Sequence, residues 1–269
     1  MIYDLQKASL TKRLSAFLFD FIFLSILVVG FAWILSVMLG YDGYLDKQTE
    51  LTNIIMDKYL ISDIEKKHSV SYDNYTFMTE EEKALVPEEA KTAFDRCNEE
   101  LRNNTELLLV KEMILSLFLT ILSLSLLLAF LVWEFAIPLW LKNGQTVGKK
   151  IFSVALMSNT GIRITPFVLF TRTILGKYTV GTMVPVLMVL MLLFGASPLI
   201  PLSVLLLILL LQIVLYITSR TNSLIHDYIA ATIAVDFQSQ MIFDSMEAKN
   251  AYILRVHSED HDKQSTSEE

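Results

Sequence analysis

Three long apolar runs constrain this chain more than any other feature. Residues 15–39 and 113–141 are apolar except for one acid each, Asp20 and Glu134. Residues 179–217 carry no charge at all. The hydrocarbon core of a bilayer takes about 20 helical residues at 1.5 Å rise each. The first two runs therefore read as single spans, and the third is too long for one. Gly195, Ala196, Ser197 and Pro198 break it, so it reads as a hairpin of spans over 179–194 and 199–217. The remaining sequence is polar enough to keep charged types at 19%, below the roughly 25% of soluble domains. The expectation is an all-α integral membrane protein with four transmembrane helices. The 25-residue first run exceeds a signal-peptide core and no small-x-small site follows it, so it reads as an anchor.

The charge distribution orients the spans. Residues 142–178 hold six Lys or Arg and no acid, and the N-terminus carries Lys7, Lys12 and Arg13. Residues 40–112 hold 17 acids against nine bases. Basic loops mark the cytoplasmic side, and an even number of spans puts both basic stretches on that side. The expected localisation is a multi-pass protein of the cell membrane, its lipid bilayer the first partner, with both termini cytoplasmic. The four parts are 1–39, an extracytoplasmic insert at 40–112, a membrane domain at 113–236 and an acidic tail at 237–269.

The insert is too long for an irregular loop and reads as a small helical cap. Leu51, Ile54, Ile55 and Ile61 form an imperfect stripe. Thr79 and Glu82 have capping-box spacing, and Pro87 suits a helix start. Ala90, Phe94, Cys97 and Leu101 share one helix face. Tyr72, Tyr75, Phe77 and Phe94 are expected to pack the cap's own core. Cys97 is the single cysteine, so no intramolecular disulfide is possible. Asn74 and Asn103 stand in N-x-T patterns. In the inner loop, residues 144–150 read Gly-Gln-Thr-Val-Gly-Lys-Lys, which lacks the phosphate-loop spacing. Asn159-Thr160-Gly161 separates two short apolar runs, a candidate β-hairpin. Residues 166–178 read as a basic amphipathic helix, with Arg163, Arg172 and Lys177 near anionic headgroups.

An acid in hydrocarbon costs at least about 2.5–3.5 kcal/mol and marks a functional position or a pair. Asp20 and Glu134 lie at a similar depth, roughly 8–10 Å from the basic side. Arg13 and Asp20, seven apart, share a helix face. Ser116, Thr120, Ser123 and Glu134 fall within about 40° of one another at 100° per residue, a polar stripe that would line a path or pack helices. Asp227 follows the last span, beside His226. Buried carboxylates need cationic or hydrogen-bonding partners, so Arg13, Asp20 and Asp227 are expected close together, with Glu134 facing the bundle interior.

These residues also carry a resemblance. Arg13 with Asp20 in KRLSAFLFDFI, the GQTVGKK run, and Asn222-Ser223-Leu224-Ile225-His226-Asp227 together resemble the RDD family of membrane proteins, named for one Arg and two Asp. Arg13, Asp20 and Asp227 match those positions. The resemblance covers 7–39 and 113–236 and leaves 40–112 outside. It implies sodium–proton antiport as the candidate activity, with a monovalent cation and a proton as partners and a homo-oligomer as the assembly. Arg13, Asp20, Asp227 and, on depth alone, Glu134 are the ion and proton candidates. The alternative is a non-transporting scaffold that binds a partner through the insert. No metal cluster or nucleophile motif is present in the sequence. An enzyme, a cofactor and a nucleic-acid partner are therefore not expected.

Overall fold

A computed structural model describes residues 5–141, 144–195 and 197–267. Among the described residues, four helices are long and apolar enough to cross a membrane: Leu10–Leu39, Thr105–Leu141, Pro166–Leu193 and Leu199–Thr218. The first is inside out by the standards of a soluble protein. Phe17, Phe21, Ile26, Val29 and Trp33 are exposed, while its buried residues are Ala16 and Asp20. Only a solvent as apolar as lipid makes that arrangement favourable. The chain reverses after the third helix at Gly195, whose φ of +79° glycine adopts without a Cβ clash. Ala196, part of the expected break, lies outside the described residues.

The third helix differs from expectation. The basic stretch over 166–178 and the span over 179–194 form one continuous helix. Its residues Arg172–Met183 are wound as a π-helix. The hydroxyls of Thr179 and Thr182 donate to the carbonyls of Ile174 and Lys177, five residues back, at 2.9 and 3.0 Å. A second π segment, Leu131–Ala136, interrupts the second span.

The chain divides into two compact units, residues 32–124 and the remainder. In the second of these, two strands, β1 (Val154–Ser158) and β2 (Thr232–Asp236), pair antiparallel with Val154 opposite Asp236 and Ser158 opposite Thr232. The N-terminal segment lines the other edge of β2, with Ala8 N donating to Ala234 O and Asp236 N to Gln6 O. Side chains alternate across a sheet, and here both faces are covered. Val154, Leu156 and Ala234 join one apolar cluster; Ala155, Met157, Ile233 and Val235 join another. The expected hairpin turn exists, with Ser158 N donating to Ile162 O. Its return arm bridges β1 at Met157–Arg163 alone and turns its other edge to Phe243, which Ile162 bridges in parallel. Thr165 caps the next helix and Pro166 begins it, which leaves the arm no length, so β1 takes β2 as its partner.

The 32–124 unit contains the helical cap. Helices Tyr41–Lys58, Ile61–His68, Tyr72–Phe77, Glu80–Lys83 and Glu88–Asn103 surround a core of Ile55, Ile61, Tyr72, Tyr75, Val86, Ala90, Phe94, Cys97 and Leu107. The Thr79–Glu82 capping box forms in both directions. Two expectations fail in the cap. Ile54 is exposed, and Phe77 is 89% exposed because its helix ends on it. The helix expected to carry Leu51, Ile54, Ile55 and Ile61 breaks at Leu60, where a left-handed residue ends one helix and re-aims the next.

Candidate functional site

Among the described residues of the larger unit, three carboxylates are buried: Asp20 at 4% exposure, Glu134 at 6% and Asp227 at 3%. Each has its own set of partners.

Asp20 is held by neutral donors. The Trp133 indole N–H and the Gly148 backbone N–H donate to Oδ1 at 3.0 and 2.9 Å, and the Thr146 hydroxyl donates to Oδ2. The GQTVGKK sequence explains this geometry. Thr146 is the N-cap of the short helix Val147–Ile151, its Oγ accepting from Lys149 N. That cap takes the Lys149 N–H and leaves the Gly148 N–H of the first turn to the Asp20 anion. Gly148 permits the approach: a Cβ there would lie 2.5 Å from the Ala16 carbonyl and 2.8 Å from the Asp20 carboxyl. Gln145 ties the segment to β1 through Nε2 to Val154 O at 2.8 Å.

Glu134 faces inward, as expected. Its partners are two lysines. Lys177 Nζ lies 2.5 Å from Oε1 and Lys149 Nζ 3.3 Å from Oε2, with all three side chains largely buried. Thr173 adds a bond to the Glu134 carbonyl at 3.0 Å. The Ser116–Thr120–Ser123 stripe does not continue to it. Ser116 and Thr120 are exposed, and the Thr120 and Ser123 hydroxyls bond carbonyls of their own helix. The Leu131–Ala136 π segment changes the angular step between stripe and acid, so the 100° arithmetic does not carry across it.

Asp227 pairs with Arg172, not with Arg13. Arg172 Nε and Nη2 donate to Oδ1 at 3.0 and 2.7 Å, and both side chains are 3% exposed. Leu224 N and the Thr232 hydroxyl complete the shell at 3.4 Å. Burial by itself would raise the Asp227 carboxyl. The Arg172 guanidinium overrides that and, with a smaller contribution from Arg13, holds it well below the usual carboxylate range. His226, beside it, is pushed down to about 3 by burial and is neutral at physiological pH. Gly176 packs directly on it: a Cβ there would lie 2.5 Å from the His226 Cβ.

Arg13 is committed to backbone. Its Nη1 donates to Asn222 O at 2.8 Å and its Nη2 to Ala234 O at 2.7 Å. It fastens the start of the first helix to the loop after the last one and to β2. Of the expected Arg13–Asp20–Asp227 cluster, Arg13 does lie within electrostatic range of Asp227, but the direct partners differ. Asp20 uses neutral donors, Asp227 uses Arg172, and Arg13 clasps carbonyls. Arg172 and Lys177 are likewise not at headgroups but turned inward. They stand five residues apart, and i→i+5 winding brings such positions to one side. Sequence reasoning passed over Lys149, Arg172 and Lys177 as partners. The signal available was the number of buried acids, each needing a partner, set against the bases nearest the span ends.

Residues 7–231 match the model of the RDD family, the greater part of the chain. No curated protein and no solved structure matches it.

Proposed function

This chain belongs to the RDD family, and on that premise we propose that it exchanges a monovalent cation for a proton at the Glu134–Lys149–Lys177 centre. The supporting observation is the centre itself. A carboxylate inside an apolar span meets two ammonium groups, so one positive charge is left over. Intramembrane ionisable groups mark ion and proton pathways. Release of one lysine proton leaves Glu134 with a single ammonium partner and a neutral amine whose lone pair can take a cation in the proton's place. Reprotonation of that lysine expels the cation. One proton leaves as one cation enters, and the charge of the centre is unchanged. Asp20, Asp227 and Arg13 then serve the architecture around it. The basic 142–178 segment supports a centre near the cytoplasmic side and, with it, cytoplasmic termini and an extracytoplasmic insert.

A scaffold without transport is the second reading, favoured by the saturation of Asp20 and Asp227 with internal donors. Cation-driven proton flux in proteoliposomes separates the two. Exchange predicts flux in wild type and its loss in Glu134→Gln with the fold retained. Wild-type liposomes without cation-dependent flux, or full flux in Glu134→Gln, would overturn it.

A further inference from the structure

We infer that Asp20 is a positioning residue for the Glu134–Lys149–Lys177 centre. Its carboxylate joins the segment carrying Glu134 to the segment carrying Lys149 and so sets the two against each other. The functional consequence rests on the exchange reading; the positioning rests on geometry alone.

Asp20 Oδ1 accepts at once from Trp133 Nε1 and from Gly148 N, at 3.0 and 2.9 Å. Each donor is one residue before a member of the centre: Trp133 precedes Glu134, and Gly148 precedes Lys149. Oδ2 accepts from Thr146, whose Oγ in turn accepts from the Lys149 backbone N–H at 3.4 Å. Lys149 sits on a five-residue helix, too short to hold its own place by intrahelical bonds. Its contact with Glu134 is the longer of the two, 3.3 Å against 2.5 Å for Lys177. Lys177, by contrast, belongs to a continuous 28-residue helix. Of the two ammonium groups, Lys149 is thus the one whose position depends on Asp20. The lack of space for a Cβ at Gly148 keeps the anchor tight.

Selective lysine reactivity tests this. The full-length protein in nanodiscs is pulsed with a water-soluble amine-acylating reagent, and each lysine is quantified by mass spectrometry. Wild-type Lys149 and Lys177 should react slowly beside the exposed Lys47. In Asp20→Asn, Lys149 should react about tenfold faster, the effect of freeing a charge-assisted hydrogen-bond anchor, while Lys177 is unchanged. Thr146→Val removes one donor and keeps the acid; it should show the same selectivity at smaller size, and it decides the matter if Asp20→Asn fails to fold. Lys149 reacting at the wild-type rate, or Lys149 and Lys177 rising together, would overturn the inference. If wild type exchanges ions, Asp20→Asn should move the pH profile of flux in the same direction as Lys149→Met, and opposite shifts would count against positioning. Absence of wild-type flux removes the exchange reading and leaves the labelling result to decide positioning by itself.

Discussion

Replacing Gly148 with alanine probes the tightest contact of the site. The added Cβ would lie 2.5 Å from the Ala16 carbonyl oxygen and 2.8 Å from the Asp20 carboxyl carbon and Oδ1. The Ala16 oxygen is backbone within the long Leu10–Leu39 helix and cannot swing aside. Restoring an ordinary contact of about 3.4 Å requires the two segments to part by about 0.9 Å. If they part along the contact, the Gly148 N to Asp20 Oδ1 bond opens from 2.9 Å to about 3.8 Å, beyond hydrogen-bond range. The loss of a hydrogen bond to a charged group costs about 1.5–3 kcal/mol, and overpacking strain adds about 1–3 kcal/mol. A destabilisation of roughly 2.5–6 kcal/mol is expected. Reversible unfolding in mixed micelles, followed by tryptophan fluorescence, measures it. Gly43→Ala is the control: it is helical with nothing near its Cβ position, so alanine there should be neutral or stabilise by up to about 1 kcal/mol. A Gly148→Ala protein as stable as wild type would refute the close packing of the 147–151 helix on the first span.

Two further perturbations address the Asp227 side. Arg172→Met leaves a buried carboxylate without its cation and should destabilise by about 3–5 kcal/mol, whereas adding Asp227→Leu should recover much of that loss; equal stability of single and double variants would argue against the pair. Acid should destabilise the fold in two stages, the first read by unfolding at pH 7, 5.5 and 4 and the second only below pH 4. His226 is held neutral in the folded state down to about 3, so between that value and the ordinary 6.5 the unfolded chain binds the extra proton and stability rises with pH, by up to about 1.4 kcal/mol per unit. Asp227 is depressed instead, so its contribution is present above the usual carboxylate range and is lost only as pH falls below it. Stability that stays flat from pH 7 to 4 would contradict the burial of His226.

The four spans and the identity of the buried acids were legible in the sequence because a bilayer admits few solutions. About 20 apolar residues must be helical, and an acid among them must turn inward, as Asp20 and Glu134 do. The capping box at Thr79 and the face of Ala90, Phe94 and Cys97 were legible for a local reason: both depend on residues within one or two turns. What the sequence by itself did not determine was partnership. Asp20 meets Gly148 across 128 positions, and β1 meets β2 across a whole helical hairpin. Contacts so distant in sequence leave no local pattern. The π segments decided the rest. A 100° step places Glu134 on the Ser116–Thr120 face and points Arg172 and Lys177 to headgroups. Wider turns, supported by threonine hydroxyls bonding five residues back, bring Arg172 to Asp227 and Lys177 to Glu134 instead. Composition and length thus determined that the acids would be buried, and helix winding in the assembled bundle decided which bases Glu134 and Asp227 meet.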